Sequence, residues 1–455
     1  MTDKQRIHEI NRINSDGWGD YVLYWMQTSK RVKFNHALSF AIDQANKLHV
    51  PVVCVYCLYE MPDSNRRSYD FLLRGLLETA EEIEKLGINF ILQVGAPTKI
   101  IPPIAKKAAY VITDFGYLKH QKKITKQVAS KIENQLIAIE SDIVIPVDTA
   151  SNKREYNAST IRRKIQPKMR EYLIPVKLSK IKTADSKLNF KSEKFAPSTI
   201  NALINKLDID QSVEPVENFV PGSKAAQKLL EKFIDNKLAK YTDRNDPSKQ
   251  IESDLSPYIN FGQISPIDIA IQIEKSRASA QAKDAFLEQL IVRRELAINF
   301  VHFADNYDNY STLPDWAQKT LAQHAGDKRE YIYSFSQLEQ AKTHDDYWNA
   351  AQLQMLNTGK MHNYMRMYWG KKILEWSKLP TLAFDTIAKL NNKYELDGRS
   401  ANGYAGIAWC LGNHDRPWTR RNIFGSIRYM NAAGLERKFN IKAYAKNWLP
   451  ELVKT

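Results

Sequence analysis

Five short apolar runs decide the fold: YVLYWM (21–26), PVVCVYCL (51–58), INFILQV (88–94), AYVITDF (109–115) and LIAIE (136–140). All draw on β-branched and aromatic residues, and amphipathic stretches of helical period such as NHALSFAIDQANKL (35–48) and YDFLLRGLLETAEEIEKL (69–86) lie between them. That alternation predicts a Rossmann-like α/β unit, a parallel sheet with helices on both faces. A ligand of such a sheet sits at the carboxyl ends of the strands, where Asp114 either borders the crevice or caps a helix. The unit has neither G-x-G-x-x-G nor G-x-x-x-x-G-K-[ST], which excludes standard dinucleotide and P-loop sites.

At 455 residues, 43% of them apolar, the chain can build two domains with substantial cores. Residues 1–182 form the α/β domain. Between 183 and 223 the periodicity fades and Pro197, Pro215, Pro221 and Gly222 gather, the mark of a connector crossing the surface. Residues 224–455 are helical in pattern, interrupted by the turn-forming runs DRNDPSKQIESDLSPY and ELDGRSANGYAGIAW, and predict an all-α domain. No stretch approaches bilayer length, and MTDKQRIHEINR lacks the apolar centre of a signal peptide. The expectation is a cytoplasmic protein with no membrane partner, able to reach the nucleoid in a prokaryote. A formal charge of +15 points to a polyanion, and a solvated basic surface is the alternative. Cys54 and Cys57 stand three apart in a strand, on opposite faces, and share neither metal nor bridge. With Cys410 they read as core, and no metal site is expected.

The stretch GKMHNYMRMYWGKKILEW (359–376) puts Trp369 and Trp376 on one helix face with Arg366 a turn before Trp369. An aromatic wall there meets a charge, although an ordinary core helix has the same spacing. Ser253, Asp254, Leu255 and Ser256 offer hydroxyls and free amides ahead of a helix, suited to phosphate or to simple capping. In ELDGRSANGYAGIAW the glycines let backbone approach a ligand, and Asp397 can pair with Arg366.

Eight stretches carry a resemblance: YWMQTSKRVKFNHAL, ASNKREYNASTIRRKI, RNDP, LSPYINFGQISP, FLEQLIVRREL, GKMHNYMRMYWGKKILEW, LDGRSANGY and HDRPWTRRNIFGSIRYMN. Through them the chain resembles, over nearly its whole length, the class II cyclobutane pyrimidine dimer photolyases of the photolyase and cryptochrome family. The resemblance implies light-driven repair of dimers in damaged, double-stranded DNA by a monomer whose helical domain holds FAD, active in its reduced form. It implies that Tyr241 and Ser253 to Ser256 hold the FAD phosphates, and that Arg366 and Asp397 pair beside the isoalloxazine, with Arg399 in the same loop. Asn391 would face flavin N5, with Asn402 as the competing residue. Trp369, Trp348 and Trp376 would relay an electron from the surface.

Toward DNA, the resemblance assigns Trp409 and Met367 to the extruded dimer, Arg244 and Asn245 to the gap left in the duplex, and Arg420, Arg421 and Arg428 to phosphates. Gln289 departs from the family, which usually has a glutamate there; an amide can still donate to pyrimidine carbonyls. Asn363 and Ser400 replace a usual glycine and a usual aspartate. The sheet domain would house an antenna chromophore, a deazaflavin, another flavin or none. Two rival readings remain: a flavin photoreceptor with weak repair, motivated by Gln289, and a basic DNA-binding module without cofactor.

Overall fold

The computed structural model describes residues 2–13, 17–184 and 188–449. Its sheet has six strands: β1 (Ile7–Glu9), β2 (Tyr21–Met26), β3 (Val52–Leu58), β4 (Asn89–Val94), β5 (Ala108–Asp114) and β6 (Leu136–Ile139). Their order is β1-β6-β5-β2-β3-β4, with β1 antiparallel to β6 and every other pair parallel. Chain direction across the sheet reverses between β2 and β5. β2 and β3 are buried at every position because α1 (His36–Leu48) and α2 (Arg66–Lys85) cover one face while α3 (Pro97–Ala105) and α4 (Lys119–Ala129) cover the other. Cys54 packs with Tyr24 and Leu58 on the first face and Cys57 with Trp25 and Val55 on the second, and both thiols are free.

Asp114 neither lines a crevice nor caps a helix. It is buried, and its carboxylate accepts the backbone amides of Gln27, Thr28 and Ser29 at 2.8, 2.9 and 3.1 Å, which fixes the loop after β2. The segment 183–223 is also more than a surface connector among its described residues. It includes a helix at Ile200–Ile204 and buries Ile200, Leu203, Leu207, Val213 and Phe219, while Glu193 N donates to Leu92 O at the edge of β4.

The helices that build the site are α5 (Ala280–Leu287), α6 (Arg294–Phe303), α7 (Asp346–Thr358), α8 (Asn363–Trp376), α9 (Pro380–Tyr394), α10 (Ala401–Cys410) and α11 (Ile441–Trp448). ELDGRSANGYAGIAW, expected as a turn, is mostly helix α10: Ser400 accepts Gly403 N at 3.0 Å as its N-cap, so the turn is confined to the residues before it. Sheet and helices share one core, since Tyr24, Cys54 and Leu92 belong to the same apolar cluster as Tyr258, Ile267, Ile291 and Leu296. Arg67 of α2 clamps the two parts, donating to Glu214 O at 2.8 Å, Tyr394 O at 3.0 Å and Leu356 O at 2.8 Å. No helix among the described residues is long and apolar enough to cross a membrane. No cluster of three or more His, Cys, Asp or Glu among them could hold a metal.

Candidate cofactor and DNA site

α8 starts at the cap His362, whose Nδ1 accepts Tyr364 N at 3.2 Å. Asn363, Arg366 and Met367, three and four residues apart, form an uncovered strip, with Tyr364 and Glu375 also partly exposed, while Met365 and Tyr368 to Leu374 are buried. The Arg366 guanidinium donates through Nη2 to Asp397 at 2.8 Å and to Glu395 at 2.9 Å, and through Nε to Met361 O at 3.2 Å. Nη1 has no protein partner among the described residues. Glu395, absent from the sequence reading, also accepts Met361 N at 3.1 Å. Burial, seconded by the charge of Asp397 and opposed by Arg366, pushes its carboxyl up to about 8. The alternation Glu395-Leu396-Asp397 was the available sign, since residues two apart in an extended turn point the same way.

α10 is the counterpart of α8. Gly370 lets the two meet, for a Cβ there would stand 2.5 Å from Cys410 Sγ. On α10 the exposed Asn402 and the partly exposed Gly406 and Trp409 form a second uncovered strip, and a Cβ at Gly406 would meet nothing within 4 Å. An apolar helix that leaves such a strip bare in a packed domain has room for a flat ligand. Asn391, the first choice for flavin N5, is buried and donates its amide to Asn392 Oδ1 at 3.1 Å; Asn402 is the exposed one of the two. Arg399 is spent as well. It has a left-handed φ of 56° and its guanidinium donates to Asn392 O and Glu395 O, closing the end of α9.

In the SDLS segment the roles divide. Asp254, at a left-handed φ of 58°, turns its carboxylate to Lys360 at 2.7 Å and Lys237 at 3.5 Å, and Leu255 is core. Neither side chain suits a phosphate. Ser256 Oγ, by contrast, is buried without a hydrogen-bond partner, the signature of a hydroxyl waiting for a ligand. Ser253 Oγ accepts Leu255 N at 3.5 Å, a weak contact. Glu252 lies behind them: although burial works to raise it, His362 and Lys360 bring it down to about 2. Tyr241 is buried against Phe233 and Phe286, with its ring under the Arg244 guanidinium at 5.2 Å. A cavity of about 790 Å³ reaches Glu252, Asp254, Lys360 and His362 from the connector side, but Arg366, Asp397 and Asn402 are not on its wall.

The three indoles form a file. Trp369 and Trp348 stack at 6.3 Å between centroids and 8° between planes, and Trp348 meets Trp376 edge-on at 5.5 Å and 69°. Trp348 Nε1 donates to Trp369 O at 3.0 Å and Trp369 Nε1 to Gln352 Oε1 at 2.8 Å, so both planes are locked. All three rings are buried, and Trp376, at the far end of the file from Trp369, is only 2% exposed.

Comparison with known proteins bears on this arrangement. The family model described as DNA photolyase matches residues 22–181. A deoxyribodipyrimidine photo-lyase of Methanothermobacter thermautotrophicus is 43% identical over 446 residues, covering 98% of each chain. This chain belongs to the DNA photolyase family. The Arabidopsis thaliana deoxyribodipyrimidine photo-lyase is 42% identical, covering 93% of this chain and 88% of its own. Among solved structures, a class III photolyase from Agrobacterium tumefaciens shares the fold at a TM-score of 0.76 and 20% identity, over 98% of this chain and 89% of that one. A Synechocystis cryptochrome does so at 0.74 and 17%, over 95% and 89%.

The residues that the sequence reading assigns to DNA in this photolyase-family chain include several on or beside the same helices. Gln289 sits in a π-helical turn, Glu288–Arg293, between α5 and α6, a widening that re-aims side chains and recurs at functional sites. Glu288 cannot stand in for it, being tied to Arg162 at 2.6 Å and Arg293 at 3.2 Å. Trp409 is half-buried and Met367 is partly exposed on the facing strip, while Arg244 is half-buried and Asn245 exposed in the turn above α5. Arg420 and Arg421 are exposed and Arg428 partly so, in a tight loop closed by the Arg421–Gly425 bridge and by Asp327, which accepts Ile423 N at 2.7 Å. Trp418 and Arg416, missed in the sequence, share that loop. Arg416 and Arg428 stand 5.3 and 5.0 Å over the 40% exposed Trp418 ring, and Arg421 stands 5.0 Å over Tyr429.

Proposed function

We propose that this chain is a light-driven deoxyribodipyrimidine photo-lyase that splits cyclobutane pyrimidine dimers in double-stranded DNA, acting as a monomer with bound FAD. The observation carrying it is the pair of bare strips on α8 and α10, flanked by the Arg366–Asp397 pair and by the stacked indoles, in a chain similar end to end to enzymes of that name. Bound in its reduced form, FAD would supply light-driven one-electron chemistry that is redox-neutral overall.

The side chains do the rest. Arg366, fixed by two carboxylates, and Asn402, exposed where Asn391 is buried, would hold the flavin. Ser256 and Ser253 serve the phosphates. Trp409 and Met367 clasp the extruded dimer by stacking and contact, and Gln289 donates its amide to a pyrimidine carbonyl, with no protonation required. Arg244 and Asn245 fill the gap in the duplex, and Arg420, Arg421 and Arg428 neutralise phosphates. Trp369, Trp348 and Trp376 feed an electron inward when the cofactor is oxidised. An antenna chromophore, if the chain carries one, would belong to the sheet domain; a Sulfolobus tokodaii photolyase of the same fold, TM-score 0.70 at 15% identity over 95% of this chain and 91% of that one, is described with two FAD molecules.

The test is illumination of the reduced protein with a dimer-containing duplex. Loss of dimer is expected; unchanged dimer under light that still reduces the cofactor would leave the photoreceptor reading, for which Gln289 is the motivating residue. A colourless protein that takes up no FAD would reject both.

A further inference from the structure

The indole file stops short of solvent, because Trp376 is 2% exposed. Beside it lies a cavity of about 490 Å³ walled by His344, Asp345, Tyr347, Lys372, Lys442 and Lys446, among others. Two wall residues touch the indole: the His344 ring lies 5.4 Å from the Trp376 ring, and Lys372 Nζ stands 5.6 Å over it. His344 is fixed in place, with Nδ1 hydrogen-bonded to Tyr333 Oη at 2.6 Å and its ring stacked on Tyr331 at 3.8 Å.

The charges of the wall are unequally committed. Asp345 accepts Trp348 N at 3.0 Å and the Tyr368 hydroxyl, and Lys372 pairs with Glu375 at 2.8 Å; both side chains are more than nine-tenths buried. Lys442 and Lys446, one turn apart on α11, are exposed and pair with no carboxylate among the described residues. Against them stands Asp346, the other wall carboxylate without a partner among those residues. The excess on the cavity is positive, and its volume is that of a small-molecule site.

We propose that this cavity binds a small anionic one-electron donor of the enediolate class, which re-reduces Trp376. The inference rests on the relay reading given above. Each electron passed inward leaves a hole on Trp376, which bulk water does not reach directly; Tyr333, 5.2 Å from the indole and stacked with the 40% exposed Tyr331, is a competing way out that the cavity bypasses. A donor in the cavity is separated from the indole only by the His344 ring or the Lys372 stem. The enediol monoanion gives one electron to the oxidised indole, restoring neutral tryptophan, and the oxidised donor releases its remaining enol proton to water and is left as its radical anion.

Ascorbate is the probe, used with the full flavin-loaded chain. Calorimetry in the dark should show saturable binding, weakened at least tenfold in a Lys442→Glu/Lys446→Glu variant. After a light flash, the decay of the oxidised-indole absorbance should rise hyperbolically with ascorbate in the native chain, and its half-saturation should shift at least tenfold in the variant. Quenching by neutral hydroquinone should be equal in both. A decay that rises linearly with ascorbate in both chains, whether or not the slopes differ, overturns the proposal, since attraction at a distance needs no site. Absence of dark binding overturns it too. If Trp376→Phe leaves the flash signal intact, it is the relay reading that fails, and the dark titration still decides the cavity.

Discussion

Arg366 holds two carboxylates with one nitrogen and keeps another free, and the proton count of that cluster is set by Glu395. Its folded carboxyl, pushed up to about 8 from 4.5, keeps a proton that the unfolded chain releases. The stability this contributes is complete below about pH 4.5 and is lost as pH rises toward 8. Glu395→Gln should therefore flatten the fall in stability across that window. Urea midpoints of the two chains at pH 5 and pH 9 check it, and a constant difference between them would rule out a protonated Glu395. At Trp369, replacement by Phe keeps the packing but removes the easily oxidised ring. Photoreduction of the oxidised cofactor should stop while repair by chemically reduced enzyme continues; loss of both would contradict the relay. Trp409→Ala should cost about 1 to 3 kcal/mol of damaged-DNA affinity, the scale of base stacking, with flavin content unchanged, read by fluorescence titration.

At the scale of elements, the bare strip of α10 makes its own prediction. Gly406→Leu meets open space in the chain alone, so helix content and thermal midpoint should hold or rise, glycine being about 1 kcal/mol the poorer helix former. The added side chain competes with the ligand, and flavin retained on purification, or dimer binding, should fall at least tenfold. Much of this level was legible in advance. The strands β2 to β6 stand out because sheets covered on both faces need uninterrupted apolar runs, whereas Ile7–Glu9 is too short and too polar to signal a strand. ELDGRSANGYAGIAW reads as a turn because of its three glycines, yet Gly403 and Gly406 lie within α10, and at Gly406 the missing side chain makes room instead of a bend. The π turn at Gln289 has no sequence sign, because one extra residue in a helix leaves the apolar pattern nearly intact. Motif resemblance pairs Arg366 with Asp397, but the second partner of Arg366, Glu395, the pairing of Asp254 with Lys360 and the burial of Trp376 depend on how distant turns pack, which spacing does not encode.

Over the whole molecule, the sheet and the helices hold each other through a common core and through a few charged clamps. Arg67 donates to carbonyls at the ends of α7 and α9, the helices that carry Trp348 and lead to Asp397. Arg67→Ala removes the donor of these part-buried carbonyls, each hydrogen bond from a charged group being worth about 1 to 3 kcal/mol. A clear drop in the thermal midpoint should follow, with a weakened Trp369 to Trp348 coupling if α7 shifts, seen as slower photoreduction. The continuous cluster running from Tyr24 through Tyr258 to Leu296 has a consequence for lineage and engineering alike. The sheet half cannot be traded between kin as a loose cassette: a graft must bring its matching helical face, or the hybrid will expose a greasy seam where both parents had none.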